Sequence, residues 1–240
     1  DHMEKQMDFT YDQVAFKGLP TFIRQLQSDG LHFIIILDPA LVVKKGYPPY
    51  EAGNASNAYI TWPDGEDMLG YVWPEDKVVF PDFFKVEAHQ FWNKSIVDHV
   101  NEVPFDGLWI DMNEPANFGT NEDRPWNYPK DKEPWSLKCN VSDLDDPPYV
   151  PGSLILQKHV PRLSDKTLCM VAKQVDNTDA SNVKNYQHYD VHNLYGWSQT
   201  KPTLDALRAA VPGKRGIVIS RSTYPSSGHI SGHWLGDNIA

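Results

Sequence analysis

Long apolar runs are missing from this 240-residue chain. The longest candidate, Phe33 to Leu37, has the length of a strand, far short of the roughly 20 residues a membrane-crossing helix needs. Any membrane association would therefore come from segments outside this chain. Cysteine is scarce: Cys139 and Cys169 are the only two, a number that by itself decides nothing about redox compartment. Positive charge is in deficit, with 22 Lys and Arg against 32 Asp and Glu and a net charge of -10. That balance argues against nucleic acid and other polyanionic partners. No fixed-period repeat or low-complexity tract occurs. An initiator methionine and a signal peptide are also lacking, so the chain, which begins at Asp1, is expected to be part of a longer gene product.

What is present is an ordinary globular mixture, 40% hydrophobic and 22% charged. The length is about the minimum for an eight-stranded α/β barrel. Taken in order, Pro20 to Ser28 predicts a helix with Pro near its start, Phe22, Ile23 and Leu26 on its core face, and Asp29-Gly30 closing it. His32 to Asp38 predicts a buried strand. Residues 39 to 81 predict a long irregular insertion rich in Pro, Gly and Asn. Phe83 to Val100 predicts a helix with Phe84, Ala88, Phe91, Trp92 and Val100 on one side. Leu108 to Ile110 is a strand behind the turn dipeptide Asp106-Gly107. A second polar, proline-rich loop runs from about 119 to 163, its mixed charges read as a solvated face. Thr167 to Gln174 and Ser198 to Ala210 predict helices, and Ile217 to Arg221 a strand. Ser222 to Gly232 is a flexible loop of small residues. Strand followed by helix is the repeating unit, which is the pattern of a (β/α) barrel.

Three of these strands end in charge: Asp38, Asp111 and Arg221. A charge at the tip of an apolar strand costs desolvation energy unless it is used, and in barrels of parallel strands that tip is where chemistry sits. The stretch Gly107-Leu-Trp-Ile-Asp-Met-Asn-Glu-Pro-Ala-Asn-Phe118 concentrates the signal, although spacing alone leaves an acidic loop capping a helix as an equal alternative. Asp38 could likewise simply cap the turn at Pro39.

Trp109-Ile-Asp-Met-Asn-Glu114 resembles the nucleophile signature of the α-glucosidases of glycoside hydrolase family 31. The likeness continues, in the family's order, through Thr167-Leu-Cys-Met170, His192-Asn-Leu-Tyr-Gly-Trp197, Ser220-Arg-Ser-Thr223 and His233-Trp-Leu-Gly-Asp-Asn238. Asp1-His-Met-Glu4 with Asp8-Phe-Thr10 is similar to a further binding segment of the family. There His2 stands where relatives have Tyr, and a sugar-binding Asp would precede the first residue. Ile239 likewise stands where relatives commonly have Thr.

The resemblance implies a fragment of a (β/α)8 TIM barrel with long βα-loop insertions, residues 1–240 forming one partial catalytic domain truncated at both ends. It implies Asp111 as nucleophile and Asp237 as acid/base, with Glu114 supporting the site. Asp237 is then expected to keep its proton through burial beside Trp234 and the charge of Asp111, while Arg221 helps Asp111 stay ionised. Asp38, Ile36, Trp73, Trp109, Met112, Arg221 and Trp234 are implied as substrate contacts or pocket wall; Trp73 could instead pack its own insertion. A disulfide between Cys139 and Cys169 is implied, against two unrelated buried thiols. Asn54, Asn93 and Asn140 open glycosylation triplets, in keeping with a secretory route to the lysosome or the cell surface. The implied reaction is removal of terminal, mainly α-1,4-linked glucose from an oligosaccharide or polysaccharide, with retention and without a cofactor or metal.

Rival readings exist. His188 with His192 and His229 with His233 share a spacing that could ligate zinc on a helix, but neither pair carries the Glu of a His-Glu-x-x-His motif and Gly228 and Gly232 disfavour a helix. A non-catalytic carbohydrate-binding relative should have lost Asp111 or Asp237, and both are present. The third rival is an inactive piece of the enzyme.

Overall fold

The structure is a computed structural model that describes residues 2–146, 148 and 162–238. Asp1, Ile239 and much of the loop ending at residue 163 lie outside the described residues.

Its centre is a four-stranded sheet in the order β1-β4-β7-β8, made of Ile34–Leu37, Gly107–Ile110, Ile217–Ser220 and Gly232–His233. Every pairing is parallel, and Leu37, Ile110 and Ser220 stand in one register row. Parallel neighbours need crossover connections, which here carry helices α3 (Val86–Glu102) and α4 (Tyr195–Ala210). On one face of the sheet Ile35, Leu37, Leu108, Ile110 and Val218 are buried. The other face carries half-buried Ile36, Trp109 and Ile219, and on it Ile34 and Ile217 are 39% and 49% exposed.

Helix α3 follows its sequence pattern: Ala88, Phe91, Trp92, Ser95, Ile96 and His99 recur at helical spacing and are buried. Phe84 precedes the helix and is only half-buried, as is Val100. Trp92 donates its indole N–H to Thr203 Oγ1 at 3.0 Å, locking α3 to α4. The first helix, α1 (Leu19–Ser28), buries Ile23 alone. Phe22, expected in its core face, is 56% exposed, because adjacent residues on a helix point about 100° apart and the contact stripe centres on Ile23.

Two expectations are corrected. Residues 39 to 81 are ordered rather than irregular. They hold β2 (Leu41–Val42) paired antiparallel with β3 (Val78–Val79), and α2 (Pro48–Ala55) between them. Tyr59, Ile60, Met68 and Val72 bury there to 1% exposure or less. The insertion carries its own apolar residues and packs as part of the core, which counting Pro, Gly and Asn does not reveal. Thr167 to Gln174 is a turn and then a strand, not a helix. Lys173–Asp176 (β5) pairs with Lys184–Gln187 (β6) in an antiparallel hairpin. The apolar run Leu168 to Ala172 is pinned by tertiary contacts instead: the hydroxyl of Thr167 donates to Pro115 O at 2.6 Å, and Lys173 exchanges backbone bonds with Thr61. Ser222 to Gly232, read as flexible, includes a 3₁₀ turn at Ser227–His229.

Candidate active site

The strand ends assemble the site. Beyond the last paired row, the backbone N–H of Asp111 donates to Leu37 O at 3.0 Å, that of Arg221 to Ile110 O at 3.1 Å and that of Trp234 to Ser220 O at 2.9 Å. Asp38, Asp111, Arg221 and Trp234 therefore emerge together at the carboxyl edge of the sheet, where open and closed α/β folds place their ligands.

Arg221 sits at the middle of the charge cluster. Its Nε and Nη2 donate to the two carboxylate oxygens of Glu114 at 2.9 and 2.8 Å, a bidentate fork. Its Nη1 reaches Asp111 Oδ2 at 3.3 Å, with Nε also 3.3 Å from Asp111 Oδ1. Nη2 additionally meets Met112 Sδ at 3.1 Å. Glu114 is thus an ion-pair partner and not a free surface carboxylate. Burial raises Asp111 above the ordinary carboxylate range, Arg221 pulls it back, and the charges of Glu114 and Asp237 push it up again. The expected help from Arg221 is present, but burial outweighs it.

Asp38 is more strongly affected: burial first and the neighbouring Asp111 charge second push it up to about 7, while Arg221 opposes. Its backbone N–H donates to Asp8 Oδ1 at 2.7 Å. Asp8 is itself raised by burial and by the Asp38 charge. One oxygen of Asp38 is buried without a hydrogen-bond partner, as are the indole N–H groups of Trp109 and Trp234. Unpartnered buried polar atoms are costly in a finished core, and Asp111 Oδ1 is a fourth at this site. The two indole rings lie 4.6 Å apart at 50°, and Ile36 pairs in register with Trp109 beneath them.

Asp237 departs from expectation. It is exposed, so the expected burial beside Trp234 is not there; its chain has left the sheet at β8, and its charge contributes to the rise of Asp111. Trp73 is 38% exposed and packs edge-on against Phe118 at 4.9 Å, at the end of the stretch after β4, and Trp126 at 6.1 Å, in the second insertion, and so not against its own insertion.

Asn113, Met112 and Gly196 position the site; Met112 is among the expected contacts, whereas Asn113 and Gly196 are not. Asn113, fully buried, donates from Nδ2 to Ser220 Oγ at 2.8 Å and accepts the N–H of Ser222 at 2.8 Å, tying the loop after β4 to the loop after β7. Met112 turns the chain between Asp111 and Asn113 with φ +55°, a region that non-glycine residues occupy at a cost. Gly196 in the first turn of α4 lies where a Cβ would meet Ser222 O at 2.6 Å and Asn113 O at 2.8 Å. Asn113 and Gly196 fall inside quoted motifs, and their signal is a polar and a small residue in a tight loop. Beside Glu114 lies a cavity of about 520 Å³, bordered also by Thr167, His192, Ser222 and Tyr224.

The remaining sites fall as follows. Cys139 and Cys169 form a disulfide with Cα atoms 5.3 Å apart, fastening the second insertion to the turn before β5. Asn54, in the last turn of α2, and Asn140 are exposed, whereas Asn93 is half-buried within α3. His188 meets Gln174 Oε1 at 2.7 Å and its ring lies 4.8 Å from that of His192, tilted by 41°, while His233 meets Thr223 Oγ1 at 3.2 Å.

Comparison with known proteins matches residues 1–240 to the family described as glycosyl hydrolases family 31 TIM-barrel domain. Human intestinal sucrase-isomaltase is 44% identical over 100% of this chain, which spans 13% of that relative. Mouse lysosomal alpha-glucosidase is 35% identical over 99% of the chain and 22% of its own length. Among solved structures, the glucosidase II alpha subunit bound to DNJ superposes with a TM-score of 0.71 at 21% identity, covering 100% of this chain and 21% of that one; at that identity the likeness concerns the fold. The chain belongs to family 31 of the glycosyl hydrolases, and its α/β fold is part of that family's TIM barrel.

Proposed function

We propose that this chain carries the reacting carboxylates of an α-glucosidase that releases terminal, mainly α-1,4-linked glucose from maltose, maltooligosaccharides, glycogen or starch. The observation that carries the reading is the carboxyl-edge cluster: Asp111 at the tip of β4, held by Arg221 and flanked by Asp38 and the Trp109–Trp234 ring pair. In the retaining mechanism Asp111 attacks the anomeric carbon as the glycosidic C–O bond breaks, and Asp237 gives its proton to the departing oxygen. Water, deprotonated by Asp237, then attacks the glycosyl–Asp111 ester and releases glucose with its configuration kept. Arg221 and Asp38 bind sugar hydroxyls, and the indole faces take the ring. Glu114 holds Arg221 in place.

The relatives' names, intestinal sucrase-isomaltase and lysosomal alpha-glucosidase, support α-glucoside chemistry and a secretory-pathway location, and the disulfide supports the latter. Asn54 and Asn140 are the acceptors whose exposure suits glycosylation. The whole protein is read as longer than residues 1–240, which form a partial catalytic domain.

The test is glucose release from maltose by the full natural protein beside its Asp111→Ala variant. Removing a nucleophile should cost at least about 10⁴-fold in kcat. Turnover that survives the substitution would show that Asp111 is not the nucleophile, and an inactive parent protein would favour the non-catalytic binding relative.

A further inference from the structure

Trp126 is 74% exposed, yet the chain around it is firmly built. Its ring packs on Phe118 at 5.8 Å and on Trp73 at 6.1 Å, and those two meet edge to face at 4.9 Å. On one side, Phe118 N–H donates to Tyr71 O at 2.8 Å, and Tyr71 N–H to Asn117 Oδ1 at 2.7 Å. On the other, Asn127 Nδ2 donates to Val72 O at 3.2 Å and the Tyr128 ring lies 4.8 Å from Tyr71. Arg124 staples the loop tip through the carbonyls of Pro129 and Lys132. The indole is therefore held out into solvent by a frame of hydrogen bonds, and it is not the side chain of a loose tip.

Position says what it faces. Phe118 follows Asp111 by only seven residues, and that path is folded back by the bond from Ala116 N–H to Met112 O. Chain continuity thus sets the three rings on the loop that leaves the strand tip of Asp111. The neighbours of Trp126 on its loop are exposed charges, Asp123, Arg124 and Lys130, and not further apolar surface. A flat ring edged by hydrogen-bonding groups suits the mixed apolar and hydroxylated face of a sugar better than an apolar protein patch.

We propose that Trp126 is a stacking platform for the glucosyl residues on the leaving-group side of the scissile bond, and so sets a preference for longer α-glucans. This rests on the α-glucosidase reading above. An enzyme that removes the terminal residue must let the rest of its substrate run outward, and a framed, exposed ring beside the exit is where the next residues can lie.

The full natural protein, its Trp126→Ala variant and its Trp126→Tyr variant are assayed on maltotetraose and on α-glucosyl fluoride, whose leaving group carries no sugar. The ratio of kcat/KM for maltotetraose to that for the fluoride should fall about tenfold in Trp126→Ala, mainly through KM, and largely recover in Trp126→Tyr. An unchanged ratio, or an equal loss on both substrates, overturns the platform. Failure of the unsubstituted protein to hydrolyse the fluoride would instead sink the α-glucosidase reading on which it rests.

Discussion

At the scale of single residues, Arg221 is the cationic side chain that, among the described residues, faces Asp111, Glu114 and Asp38. Burial works against its charge, but those carboxylates together hold its pKa above the ordinary arginine value. The reciprocal effect matters for chemistry, since the guanidinium lowers both Asp111 and Asp38 against the burial that raises them. A nucleophilic carboxylate must be ionised, so activity appears as pH rises through the pKa of Asp111. Without the Arg221 charge that pKa rises, and the acidic limb of the kcat/KM profile moves to higher pH. We therefore expect Arg221→Gln to lower kcat/KM by at least about 100-fold and to shift that limb upward. Arg221→Lys should keep the limb near its original position while still losing activity, because it retains charge but not the fork that grips Glu114. The pH dependence of kcat/KM for the three proteins decides it: an unmoved limb in the Gln variant would mean that Arg221 does not govern the ionisation of Asp111.

At the scale of elements, α4 is what holds the two reactive loops together. Its first turn approaches the backbone of Asn113 and of Ser222 so closely that only glycine fits at position 196. Alanine would improve helix propensity by about 1 kcal/mol, but its Cβ meets two backbone oxygens, which cannot swing aside as a side-chain tip could. Overpacking of this kind costs about 1–3 kcal/mol or more, so the sign is a net loss. Gly196→Ala should lower the thermal midpoint by several degrees and cost kcat more than KM, since the displaced loops carry Asp111 and Arg221; a midpoint at or above that of the parent would refute the packing argument. Elements of this scale were read from the sequence with mixed success. The strands at 34–37, 107–110 and 217–220 and the helices α3 and α4 were legible because their apolar residues keep one period and their ends carry charge. The hairpin β5–β6 and the ordered insertion holding α2 were not. Their stability comes from pairings between distant segments, such as Thr61 with Lys173 and Leu41 with Val79, which leave no local period. The site showed the same division: Asp111 and Arg221 announce themselves at strand tips, whereas Asn113 gains its role only when Ser220 arrives from far along the chain.

At the scale of the whole molecule, the sheet is covered unequally. Helix α4 packs against β4 and β7, and the buried face contains residues such as Leu37 and Leu108 at 1% exposure or less. The opposite face leaves Ile34 and Ile217 largely open, and Leu235 beyond β8 is 77% exposed. In a closed (β/α)8 barrel that second face is the filled interior, and the relatives matched here are several times longer than this chain. The described strands number four in the main sheet, and an uncovered sheet edge is a template for association. Asp237 fits the same picture: it is exposed where an acid/base would be enclosed. We expect the 240-residue polypeptide expressed alone to bind a hydrophobic dye such as ANS, to unfold without a sharp transition and to release little glucose from maltose. The intact protein should show none of the dye binding and full turnover. A cooperative transition and turnover by the isolated piece would mean that the inner face needs no further strands, and that the exposure of Asp237 is compatible with its role as acid/base.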